Sequence, residues 1–163
     1  MLHRPLIDGM EFARSGARLS GDWPVADFPR LQGVVQAGAV LHYALEGVPQ
    51  ERGRPALWLQ VTGMLRLTCQ RCLEAFEHPL RVETLLLLFG SESDLAAIAV
   101  DPEGPDCIVA KREMAVRDLI EEEVLLAIPY APRHEQCKPG AGAEGAPRLG
   151  PFADLRARLG TKH

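Results

Sequence analysis

The stretch ALWLQVTGMLRLTC, residues 56–69, constrains the fold more than any other. Leu57, Leu59, Val61, Leu65, Leu67 and Cys69 fall on one side at period two, while Trp58, Gln60, Thr62, Met64, Arg66 and Thr68 fall on the other. That alternation belongs to a β-strand with one buried face and is incompatible with an amphipathic helix. Gly63 interrupts the polar-to-apolar rhythm and marks a bulge or a close backbone approach. A half-buried strand this long cannot stand alone, so the neighbouring segments must supply its partners.

Two segments qualify. Upstream, GVVQAGAVLHYALEG (33–47) sets Val40, His42 and Ala44 against Val35, Leu41, Tyr43 and Leu45, which predicts a strand with both faces partly covered and His42 half-buried. Downstream, HPLRVETLLLLF (78–89) predicts a third long strand. The polar VPQERGRP and the CxxC turn are the only connections between the three. Links so short predict an antiparallel meander, because parallel pairing needs a crossover of about a dozen residues or more.

The rest of the chain is less regular. Residues 10–30, broken by Gly16, Gly21, Pro24 and Pro29, are expected to form a loose opening with short turns. Residues 90–105 are expected to make a soft acidic excursion. A helix is predicted from Val116 to just before Pro129, with Val116, Leu119, Ile120, Val124 and Ala127 inward and Arg117, Asp118, Glu121 and Glu122 outward. Glu123 falls nearer the apolar stripe, where an arginine could hold it. Pro129 and Pro132 end the helix. Gly, Ala and Pro dominate residues 138–150, the composition of a flexible linker, and residues 151–163 could form a short basic helix. The expected architecture is α+β: a twisted antiparallel, barrel-like sheet packed by one main helix over 1–137, followed by a flexible C-terminal tail.

Cys69 and Cys72 form the CxxC, and His134 and Cys137 form an HxxC beyond the helix. Three thiolates and one imidazole suit tetrahedral zinc, which would tie the two regions together. Small buried residues would explain the same cysteines equally well. A thioredoxin-like redox centre fits poorly, since it needs CxxC to open a helix after a strand. Cys107 has no such spacing and reads as a core or turn residue. Trp58 and Phe76 read as core or rim.

The first residues show no basic stretch leading into an apolar run, and no window approaches a membrane span. A cytoplasmic location with no membrane partner is therefore expected, a setting where disulfides are disfavoured. Charge is uneven. Residues 91–128 carry 3 Lys/Arg against 10 Asp/Glu, whereas 129–163 carry 6 against 3. With a net charge of −4, nucleic-acid contact would have to be local. The sequence has no GxSxG, GxxxxGK[ST] or HExxH.

CQRCLE after a strand, IEEEVLLAIPYAPRH, the following Cys137, the terminal PFADLRARL and the opening ARSGARLSGDWPVADFPRL together resemble the YceD-like family of large ribosomal RNA subunit accumulation proteins. The resemblance implies a bacterial, non-enzymatic factor supporting synthesis, processing or stability of 23S ribosomal RNA. It carries over Cys69 and Cys72 as the paired cysteines, Glu122, Glu123 and Pro129 as the acidic helix and its stop, and His134 and Cys137 as the later pair. On this reading Glu121 and Glu122 would meet a basic ribosome-assembly or rRNA-processing protein. Arg156 and Arg158 of the tail, with Arg148 and Lys162, would touch phosphates of a 23S precursor. Two rivals stand beside it: a zinc- or thiol-dependent enzyme acting on RNA, and a protein-interaction module whose RNA role is indirect.

Overall fold

The alternating stretch becomes the centre of a five-stranded sheet. In the computed structural model, which describes residues 5–99 and 101–137, the chain begins with β1 (Leu6–Ile7), α1 (Gly9–Ser15) and β2 (Arg18–Pro24). After two short 3-10 turns at Val25–Asp27 and Pro29–Leu31 come β3 (Val40–Glu51), β4 (Arg54–Thr68) and β5 (Ala75–Phe89). Then follow α2 (Glu92–Ala96), β6 (Asp106–Val109), β7 (Met114–Ala115) and α3 (Val116–Ala127). Sheet order is β2-β3-β4-β5-β6, and the first four strands form the antiparallel meander.

Between β3 and β4 only Arg52 and Gly53 lie outside the strands, both at positive φ (48° and 80°). That pair of left-handed residues gives a tight turn whose twist matches the flanking strands. The polar VPQERGRP therefore mostly extends the two strands. Gly63 proves to be a close approach. A Cβ there would lie 2.9 Å from the Val40 carbonyl oxygen.

Four sequence expectations are corrected. The sheet is mixed, because β6 pairs parallel to β5. Residues 90–105 supply the crossover this requires, and α2 forms within them, capped by the Ser91 hydroxyl accepting from the Asp94 N–H at 3.1 Å. Barrel closure does not occur, since β2 and β6 are the two edges of an open sheet. The opening is regular as well. The Asp8 carboxylate accepts from the Glu11 N–H at 3.0 Å to start α1, and Gly16 at φ 63° ends it. Finally, only one face of β3 is covered over residues 40–45. His42 is exposed on the other and pairs with Asp22 at 2.6 Å, both side chains more than half in solvent.

The covered face carries the core. Leu41, Leu45, Leu57, Leu59, Val61, Leu65, Leu67, Leu86 and Leu88 are essentially inaccessible, and α3 lays Val116, Ile120 and Val124 over them. Phe28 and Leu31, from the 3-10 turns, fill the gap beside α3. Burying one such side chain contributes roughly 1.5–3 kcal/mol, so the face-to-helix contact is what fixes α3 across the sheet. Trp23 stacks on Tyr43 and meets Phe28 edge-on, with centroids 5.6 and 5.7 Å apart. On the opposite face Ala56, Leu87 and Phe89 form a small second cluster with Leu95 and Cys107. The expected linker and basic segment, 138–163, lie outside the described residues.

Candidate metal centre

β4 ends at Thr68, and the next five residues fold into a tight turn rather than a plain hairpin. The Cys69 N–H donates to the Glu74 carbonyl and the Leu73 N–H to the Cys69 carbonyl, each at 2.9 Å. Leu73 closes the turn in the left-handed region at φ 64°. Cys69 inherits the buried side of β4 and is fully covered, while Cys72, three residues on, is half-buried. The strand's period-two pattern thus places the first sulfur, and the turn swings the second towards it.

α3 delivers the other half. It runs across the sheet and stops before Pro129, so the following loop descends at the end where β4 leaves. The Gln70 N–H donates to the Pro132 carbonyl at 2.9 Å, which pins loop to turn by backbone alone. Phe76, on β5, lies with its ring centroid 5.5 Å from that of His134 and limits the imidazole's freedom.

All four sequence candidates converge. One ligand atom each from Cys69, Cys72, His134 and Cys137 lies within 4.8 Å of every other. The Cys69 and Cys137 sulfurs are 3.7 Å apart, and the Cys72 sulfur is 3.7 Å from His134 Nε2. Zinc–sulfur bonds of about 2.3 Å place two thiolates about 3.8 Å apart along a tetrahedral edge. The cluster has the size of such a shell. Cys107, by contrast, is remote from it and sits against the Pro105 carbonyl at 3.6 Å.

The electrostatics also suit a cation. Burial pushes the Cys69 thiol up, but backbone N–H groups of Cys72, Arg71 and His134 and the Cys72 side chain outweigh it and bring the thiol down to about 6. The Arg71 N–H is 3.4 Å from that sulfur. Cys137 moves the other way: burial, its hydrogen bond with Cys69 and the negative charge of Cys69 and Cys72 raise it, against a smaller pull from Arg71. One thiolate is comfortable here and further ones are not, unless a divalent ion supplies the missing positive charge. The residues therefore can hold a metal ion, with every donor provided by protein.

The acidic candidates separate. Glu121 is not on the solvated face; it is 4% exposed and its carboxylate accepts from the Arg30 backbone N–H at 2.6 Å. The expected arginine partner of Glu123 is not found: among the described residues no ion pair joins Glu123 to an arginine. Glu123 instead is half-buried, its carboxyl raised first by burial and then by Asp106 and Glu122. Glu122 is exposed and borders a cavity of about 250 Å³ with Lys111, Glu113, Asp118 and Leu119. Arg156 and Arg158 lie outside the described residues. Sequence reasoning missed the role of Phe76 beside His134. Its signal was present: Phe76 pairs with Leu67 across the ladder, which puts it on the same sheet face as Cys69.

Fold and site define a class: a small α+β protein whose open sheet, crossed by one helix, ends in a Cys3His cluster. Residues 57–149 match the family of the large ribosomal RNA subunit accumulation protein YceD, and the chain belongs to that family. No curated protein and no solved structure matches it. Among the described residues no helix is long and apolar enough to cross a membrane.

Proposed function

We propose that this protein is a non-enzymatic factor in bacterial ribosome biogenesis that supports synthesis, processing or stability of 23S ribosomal RNA, with zinc held by Cys69, Cys72, His134 and Cys137 as a structural staple. The observation that carries the reading is the family match over 57–149, a span that contains all four ligands. Four protein donors complete a tetrahedral shell, whereas a catalytic zinc keeps one position for water or substrate. That favours the accumulation factor over the RNA-acting zinc enzyme. A basic assembly or processing protein is the partner proposed for the acidic side of α3. Glu122 and Asp118 present the charge there, and Glu121 acts from inside as a brace.

The test is genetic and quantitative. A strain lacking the gene should show a reduced ratio of 23S to 16S ribosomal RNA, restored by the parent protein but only partly by Glu122→Lys. A normal ratio in the deletion strain would overturn the reading.

A further inference from the structure

The tip of the molecule formed by the CxxC turn and the loop after α3 presents a group of side chains that neither the core nor the metal shell uses. Tyr130 is fully exposed, at 104%. It sits in Pro129-Tyr130-Ala131-Pro132, so prolines fix the backbone on both sides of it. Arg71 and Arg133 are exposed, and among the described residues neither has an ion-pair partner. A single hydrogen bond, from the Gln70 N–H to the Pro132 carbonyl, brings these residues to one place: Arg71 follows Gln70, Arg133 follows Pro132 and Tyr130 is two residues before it. Arg71 is near enough to act on Cys137 through its charge.

We propose that this tip is a contact surface for single-stranded RNA, with Tyr130 stacking on an unpaired base while Arg71 and Arg133 hold the phosphates on either side. The inference rests on the ribosomal RNA reading given above and adds the residues and the strandedness. An exposed aromatic ring costs free energy in water that a base face can recover, and its stiff proline frame lowers the ordering cost of binding. Guanidinium groups give directional bonds to phosphate. Glu74 and Glu135 share the same two segments, so the local field is weak and stacking supplies most of the affinity. A duplex would hide its base faces from Tyr130, so single strands are the substrate selected. A protein partner is the competing occupant.

The experiment uses the full-length zinc-loaded protein and a fluorescent 12-nucleotide RNA of mixed sequence, single-stranded or annealed to its complement, read by anisotropy at several salt concentrations. The single strand should bind more tightly than the duplex. Tyr130→Ala should weaken binding roughly 5- to 150-fold, the worth of one base–aromatic stack, and Tyr130→Trp should restore it. Arg71→Ala and Arg133→Ala should each reduce the slope of log affinity against log salt by about 0.7. All three positions are exposed, so unchanged zinc content and melting curve verify the fold of each variant. Affinity unchanged in Tyr130→Ala and in the double arginine variant would overturn the proposal, as would an absence of RNA binding by folded protein. Reduced 23S accumulation in the deletion strain, with full rescue by the tip variants, would also overturn it while leaving the accumulation reading intact. A normal 23S ratio in the deletion strain with tip-dependent RNA binding in vitro would do the reverse.

Discussion

Glu121 shows how far a single residue can depart from the pattern it belongs to. In sequence it is the first of three consecutive glutamates and belongs to the outward face of a helix. In the fold it is buried and holds the N–H of Arg30, 91 positions away. No periodicity could reveal this, because the partner is a backbone donor in a segment whose path is set by Phe28 and Leu31 docking beside α3. The carboxylate satisfies a main-chain donor in the second 3-10 turn, at a part-buried site beside α3. Hydrogen bonds to charged groups contribute about 1.5–3 kcal/mol. Glu121→Ala should therefore lower the urea midpoint by an amount equivalent to roughly 2 kcal/mol, and Glu121→Gln, which keeps a carbonyl acceptor, should lose less than half of that. Equal losses in the two variants, measured by equilibrium unfolding, would show that packing rather than this bond is what the position supplies.

At the level of elements, the sequence is legible where local pattern and burial coincide. The meander of β3, β4 and β5 follows from period two, and α3 from apolar positions at helical spacing between residues 116 and 127. β6 is different: Asp106–Val109 is four residues long and gains its identity from parallel pairing with Leu86–Phe89, a long-range fact. α1 and β2 were hidden by their glycines and prolines, although Asp8 and Glu11 stand at the D-x-x-E spacing of a helix start. The metal ligands were legible as two spaced pairs; what the sequence lacked was the helix crossing that brings them together. The turn and the loop are each too short to bury apolar area of their own, and they hold each other through the Gln70–Pro132 backbone bond, the polar contacts among the cysteines and His134, and the proposed ion. Cross-linking Cys72 to His134, 62 residues apart, restricts the unfolded chain by about 4 kcal/mol. Protein purified without chelator should contain close to one equivalent of zinc by elemental analysis. Cys137→Ser should lower both zinc content and the melting temperature, the latter by roughly 8–16 °C for a chain of this size. A full metal load in Cys137→Ser would remove that residue from the shell.

For the whole molecule, core and candidate metal centre occupy different regions of one sheet, and that separation predicts how the protein would respond to losing the proposed ion. Leu41, Leu57, Leu59 and Val61 lie well along the strands from the turn at 69–73, and α3 is anchored to them by Ile120 and Val124. The pairing of β1 with β7 and the Val116 N–H bond to the Pro5 carbonyl at 3.1 Å secure the start of α3 independently of its end. The proposed zinc would therefore staple the far end of a scaffold that is already secured elsewhere, unlike a small finger whose only core is its metal. Stripping the ion with a chelator at neutral pH should raise amide exchange in 70–73 and 129–137 while β3, β4 and β5 keep their protection. Because the ligands must shed protons to bind, acidification should release the metal and produce the same exchange pattern. Loss of protection in the central strands at the same chelator concentration would mean that the ion holds the fold itself, and the centre would then be a folding core rather than a clasp on the tip proposed to meet RNA.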